Sequence, residues 1–271
     1  MTTLHIPQGA KRIVCLTEEP TEILYALGEE DRIVGISAYT VRPPEAKENK
    51  PVVSAFIGGS VKKIKALNPD LVIGFSDIQA DLAKQLIAAN LQVLIFNQRS
   101  IQDILEVIVD IGSLVEKREE AKSLVSSYIK KIEEVSDRVS SRLYRPKVYF
   151  EEWDDPLICG IEWVSEIIEI AGGSDVFKEK ARGRSATERI VSANEIADLS
   201  PEVFLASWCG KPFDLNAVLG RLELQKIPAF LKHNIFEIPA EIILQPGPAS
   251  LTEGLDCVER LLQQSIENET K

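Results

Sequence analysis

The chain has 271 residues, enough for one large domain or two modest ones, and its 45% hydrophobic content is that of an ordinary globular protein. Against 31 basic residues stand 42 acidic ones, a formal charge of −11, which argues against a nucleic-acid or anionic-membrane surface because both require a basic patch. No segment reaches transmembrane length. The start, MTTLHIPQGAKRIV, shows neither a charged region leading into an apolar run nor a lipid-attachment cysteine. Read as written, it predicts a cytoplasmic protein; with a leader removed, the same chain would be periplasmic or extracellular. Cys15, Cys159, Cys209 and Cys257 are scattered without a CxxC, so free thiols are expected rather than a zinc site or a disulfide framework.

In chain order, residues 11–16 (KRIVCL) read as a strand, TEEP as a loop, and residues 21–27 as a helix that Gly28 ends. RIVGIS follows as a second strand. Residues 37–59 read as a loop rich in Pro and Gly that exposes Tyr39 and Phe56. An amphipathic turn closes at Asn68-Pro69, and the apolar run at residues 71–75 is a buried strand. A helix over 78–89, a strand over 92–96 and a helix over 101–114 complete an alternation that implies a parallel sheet covered by helices.

Residues 116–142 contain no Pro or Gly, and Ala121, Leu124, Val125, Tyr128, Ile132, Val135 and Val139 recur at helical spacing on one stripe. At 1.5 Å per residue this helix would be roughly 40 Å long, a strut between two lobes. The alternative is a two-helix hairpin inside one domain. After it the plan repeats. KVYF, EEWDDPLICGIEW and the helix WVSEIIEIAGG stand where RIVCL, TEEP and TEILYALG stood, and ANEIADLSPEVFLASWCG mirrors VKKIKALNPDLVIGFSD, which makes Phe75 and Trp208 equivalent. The expected fold is therefore α/β: two Rossmann-like lobes, each a mainly parallel sheet flanked by helices, joined by one long backbone helix, with a ligand cleft between the lobes. The expected divisions are an N-terminal lobe over 1–98, connecting helices over 99–142 and a C-terminal lobe over 143–271.

Ligands of open parallel sheets collect outside the carboxyl ends of the strands. The loops there carry Glu18, Glu19, Tyr39, Phe56, Phe75, Trp153, Trp163 and Trp208, a set suited to a large flat or partly apolar ligand. Glu18-Glu19 and Glu151-Glu152 fall in equivalent loops and, with Asp154-Asp155, are either hard-cation ligands or solvated acids. Trp163, opening a helix, is equally a core residue. Cys209, with Lys211 to lower its pKa, reads as a ligand contact at the lip of the cleft or as a nucleophile. The only histidines are His5, near the terminus, and His233, in a turn, and nothing in the sequence places either beside the thiol.

RIVCLTEEPTEILYALGEEDRIVGIS, SAYTVRPPEA, KALNPDLVIG and ILQPGPASLTEGL stand here in that order. By these motifs, over roughly residues 11–262, the chain resembles the helical-backbone (class III) substrate-binding proteins of ABC importers, and among them most the periplasmic cobalamin-binding family. The resemblance implies a non-enzymatic solute-binding protein that holds a corrinoid or similar large metal chelate (haem, ferric siderophore), with no intrinsic cofactor and cobalamin or a related corrinoid as the bound ligand. It places family pocket aromatics on Phe56, Phe75 and Tyr39. It places an acid of the last loop on Glu241 and that acid's basic partner on Gln245, a departure, while a second-lobe aromatic falls near Glu188. Family members dock on an ABC permease through one glutamate per lobe; those positions are Lys62 and Asn194 here, with Glu195 adjacent to the second. A monomer without nucleic-acid partners is expected. The alternative is a cytosolic enzyme or metallochaperone using Cys209 and the acidic loop residues.

Overall fold

The computed structural model describes residues 9–269. The chain forms two compact units, one holding residues up to Gln98 with Gln102–Ser127, the other holding Arg99–Ile101 with Tyr128 onward. The first contains β1 (Ile13–Cys15), β2 (Ile33–Ser37), β3 (Val52–Ser54), β4 (Leu71–Phe75) and β5 (Val93–Phe96), in the order β3-β2-β1-β4-β5 with every pair parallel. Val14, Leu16, Ile64, Val72, Leu82 and Leu86 form a core between the sheet and the helices Val61–Ala66 and Ala80–Ala88. The stretch expected as one loop over 37–59 holds the helix Pro44–Asn49 and β3. Both are too short to give a periodic signal, and β3 joins the sheet through its backbone, pairing Ile36 with Val52.

The second unit contains β6 (Lys147–Asp154), β7 (Leu157–Cys159), β8 (Ser174–Asp175), β9 (Val203–Ala206) and β10 (Ile235–Glu237). Their order is β10-β9-β6-β7 with β8 also beside β6, and only β7 runs antiparallel. Its core is aromatic: Phe204 meets Tyr149 at 5.0 Å and Phe230 at 6.0 Å, both edge to face.

The helix expected over 116–142 spans Arg118–Ser140, unbroken, which excludes the hairpin. It starts late because Glu116 takes a positive φ of 63° after the helix Ile101–Leu114. The chain passes from the first unit to the second within it, between Ser127 and Tyr128. Its apolar stripe is buried at Ala121, Tyr128, Val135 and Val139 and half-buried at Leu124, Val125 and Ile132. In the second unit, Lys131 pairs with Asp256 at 2.6 Å and Arg138 with Glu259 at 2.7 Å, tying it to the helix Leu255–Glu269.

The repeat extends to individual hydrogen bonds. Asn68 and Ser200 both take left-handed backbone before a proline, and the acid after each proline reaches the same place. Asp70 accepts from the backbone N–H of Arg12 at 3.0 Å and Glu202 from that of Lys147 at 2.8 Å, each one residue before its unit's central strand pairing begins. That register aligns Leu71 with Val203, so Phe75 corresponds to Ser207 and not, as the sequence suggested, to Trp208. The helices Glu18–Ala26 and Glu162–Ile170 end in the same double hydrogen bond, from Gly28 to Tyr25 and Glu29 to Leu24, and from Gly172 to Glu169 and Gly173 to Ile168. Aligned through those ends, Glu18 corresponds to Glu162. Glu151-Glu152 lie in β6 itself, and the β6–β7 hairpin is an insertion, so the two acidic pairs are not equivalent.

Gly28 has φ +70° and open space where a Cβ would stand, whereas Gly172 has φ +91° and a Cβ there would sit 3.0 Å from Val139 Cβ. Gly28→Ala should cost about 1 kcal/mol, the ordinary left-handed penalty. Gly172→Ala should cost at least about twice that, because it adds a clash with the long helix. Urea midpoints of the two variants measure the difference; equal losses would contradict this account of the cap.

Candidate functional site

At the carboxyl end of the first sheet, one side chain ties three strand ends together. Gln79 is fully buried; its Oε1 accepts from Phe75 N–H at 3.0 Å, and its Nε2 donates to the Phe56 carbonyl at 2.8 Å and the Leu16 carbonyl at 3.4 Å. The loops after β1, β3 and β4 are thereby held to one another. On the loop after β3 the half-buried Phe56 meets, edge to face at 6.5 Å, Tyr39 of the loop after β2, which is 46% exposed; Ile57 and Ile78 are also exposed. Phe75 is only 6% exposed and belongs to the core.

Glu18 and Glu19 are not a solvated pair. They open the first helix, where acids are favoured by the helix dipole, yet are only 8% and 3% exposed. Burial raises Glu18 to about 7. Burial, and then the neighbouring charge of Glu18, raises Glu19 to about 8, so Glu19 keeps its proton at neutral pH; Thr17 donates to it at 2.8 Å.

In the second unit the acids of β6 are matched in turn by cations from separate loops. Glu151, fully buried, accepts from both terminal nitrogens of Arg221 at 2.6 and 3.0 Å, from Trp208 Nε1 at 3.1 Å and from the Tyr149 hydroxyl at 3.1 Å. Burial pushes its carboxyl upward while those donors pull it back. Glu152 takes a bidentate pair from the buried Arg189 at 2.5 and 2.9 Å. Asp154 pairs with Lys211, whose ammonium lies over the rings of Trp153 at 4.4 Å and Trp208 at 4.7 Å. Trp208 is 4% exposed and also meets Phe213 edge to face. Its ring is part of this cluster and core, with little open face.

Beside the cluster lies a pocket of about 440 Å³, bounded by Ser207, Trp208, Gly210 and Lys211 after β9 and by residues 237–241 after β10. It sits where a parallel sheet gathers ligands. Of the residues expected to bind, Trp208 and Glu241 line it, Trp153 adjoins Lys211, and Cys209 is exposed in the same loop. Trp163 lies apart in the core, 3% exposed, donating to the Ile243 carbonyl at 2.9 Å. Gln245 is half-buried just beyond the pocket's last segment. Glu188 is held in a capping box with Ser185, and His233 is an exposed turn residue with φ 56°. His5 lies outside the described residues. Gln79, Arg189 and Arg221 escaped the sequence reading; the available signal for the arginines was the acidic run inside an apolar strand, YFEEWD, which demands cationic partners once buried.

Lys211 is committed to Asp154 and two indoles, and the thiols of Cys15 and Cys159 are pushed up to about 12 by burial, which keeps them protonated. Among the described residues no group of three His, Cys, Asp or Glu side chains could hold a metal ion, and no helix is long and apolar enough to cross a membrane.

Because Glu18 and Glu19 bind protons more tightly folded than unfolded, the folded chain holds more protons above the usual carboxyl range, and stability should fall as pH rises from about 4.5 to about 8. Glu19→Gln should flatten that slope and raise the melting temperature at pH 8. A variant with the wild-type slope would contradict the buried, protonated carboxyl.

The periplasmic binding protein family profile matches residues 13–242. An uncharacterized ABC transporter substrate-binding lipoprotein of Bacillus subtilis is 25% identical over 93% of this chain and 79% of its own. A vitamin B12-binding protein of Vibrio campbellii is 25% identical over 73% of this chain and 71% of its own. Among solved structures, the periplasmic heme-binding protein of Roseiflexus superposes with a TM-score of 0.80 at 21% identity, over 95% of this chain and 99% of that one.

Proposed function

The chain belongs to the periplasmic binding protein family, and from that premise we propose that it captures a large, partly apolar metal chelate, with a corrinoid such as cobalamin as the first choice. It is a solute-binding protein and not an enzyme, and membership implies a small-molecule ligand and, in general, a permease partner. The ligand reading is supported by what each unit carries by itself at its strand carboxyl ends: an exposed aromatic surface at Tyr39 and Phe56 in the first, and a pocket at Trp208, Lys211 and Glu241 in the second. The B12-binding and heme-binding names of its relatives support a chelate of this size. The cytosolic enzyme alternative has no support, since Lys211 is already paired.

The cytoplasmic expectation also lacks support: relatives are named as a lipoprotein and as periplasmic proteins, and we place this chain outside the cytoplasmic membrane, as a monomer. Its permease contact departs from paired glutamates. Lys62 and Asn194 are both exposed and both stand two residues after a serine N-cap, Ser60 and Ser192. Glu195 does not substitute, because it closes a capping box with Ser192 and pairs with Lys180 at 3.1 Å.

Titration with cyanocobalamin, hemin and a ferric siderophore, followed by calorimetry and tryptophan fluorescence, tests the reading. We expect stoichiometric binding of the corrinoid, weakened about tenfold by Phe56→Ala or Tyr39→Ala, as loss of one aromatic contact dictates. Trp163→Phe should lower stability and leave affinity unchanged. No binding of any of the three would overturn the proposal.

A further inference from the structure

We infer that the pocket of the second unit selects chelates by the charge of their rim: it accepts a periphery that is uncharged and donates hydrogen bonds, as primary amides do, and rejects the same ring system bearing carboxylates. The inference rests on the solute-binding reading above and narrows it.

Three charged residues line the pocket: Lys211, Glu237 and Glu241. The cation is not available to an incoming anion. Its ammonium is paired with Asp154 and lies over the rings of Trp153 and Trp208, so binding an anionic group would cost it those three contacts. The two acids stand differently. Glu237 is exposed and Glu241 half-buried, and among the described residues neither side chain has a hydrogen bond or an ion pair. They do not belong to a metal-ligating cluster among those residues either. The nearby pairs Glu151–Arg221 and Glu152–Arg189 are each internally neutral.

The free groups are therefore acceptors. A carboxylate accepts strong, charge-assisted hydrogen bonds from amide N–H groups, whereas a carboxylate on the ligand meets like charge that water screens only in part. The net charge of −11 adds a far field of the same sign, which slows approach of an anionic ligand.

The test compares two corrins that share a ring and differ at the rim, dicyanocobinamide with its amides and dicyanocobyrinic acid with its carboxylates. Hemin and hemin with both propionates amidated form a parallel pair. Calorimetry on the wild-type protein should favour each amide form by about tenfold, the size of one or two partly screened charge contacts. Glu237→Gln with Glu241→Gln should cut the ratio to about threefold or less, chiefly by strengthening the carboxylate forms; unchanged urea midpoints would show that the fold is intact. Equal or tighter wild-type binding of the carboxylate forms would overturn the inference while leaving the chelate reading standing, and so would a ratio that the double variant leaves unchanged. Binding of none of the four would remove the chelate reading and this inference with it.

Discussion

The carboxyl ends of parallel strands are where this fold places its loops, and they cannot be sealed by apolar packing alone, because each departing loop carries backbone groups that need partners. In the first unit a fully buried polar side chain meets this constraint. Gln79 does so by joining the Leu16, Phe56 and Phe75 backbones. In the second, the fully buried Glu151 instead fixes the loops through their side chains, gathering Tyr149, Trp208 and Arg221. The positions of Phe56 and of the loop carrying Trp208, Cys209 and Lys211 follow from those two residues.

The energetic character of the two devices differs. An amide satisfied on both sides contributes modestly and leaves no charge to compensate. A buried carboxylate is a liability unless paired, and removing one member of such a pair costs about 3–5 kcal/mol because the other is left charged. The second unit repeats the solution along β6, with Arg221, Arg189 and Lys211 arriving from different loops to meet Glu151, Glu152 and Asp154. Those ion pairs fix the loops that border the pocket. They also consume its cations, leaving Glu237 and Glu241 as its uncompensated charges.

Much of the fold was legible in the sequence because it is written in period and punctuation. The apolar stripe of the long helix, the strand at residues 71–75, the glycines after two matching helices and the Asn-Pro and Ser-Pro pairs all predict local structure that tertiary packing then keeps. β3, the helix Pro44–Asn49 and the β6–β7 hairpin were not legible, since elements of three to eight residues owe their existence to strand neighbours supplied from elsewhere in the chain. The site was read by residue type alone, which could not separate Trp163, turned into the core, from Trp153, set beside Lys211. Burial also removed the solvated alternative for Glu18 and Glu19: acids in an acidic chain look solvated until the helix they open carries them inside.

On the proposed reading, ligand binds on the loops at the carboxyl ends of the strands. Hydrogen–deuterium exchange with and without saturating cyanocobalamin tests it most directly. Added protection is expected at residues 207–211 and 237–241 and around Tyr39 and Phe56, with exchange unchanged at the opposite strand ends near Arg12 and Lys147. Saturable binding whose protection falls at those opposite ends, with none at the two pocket segments, would contradict it.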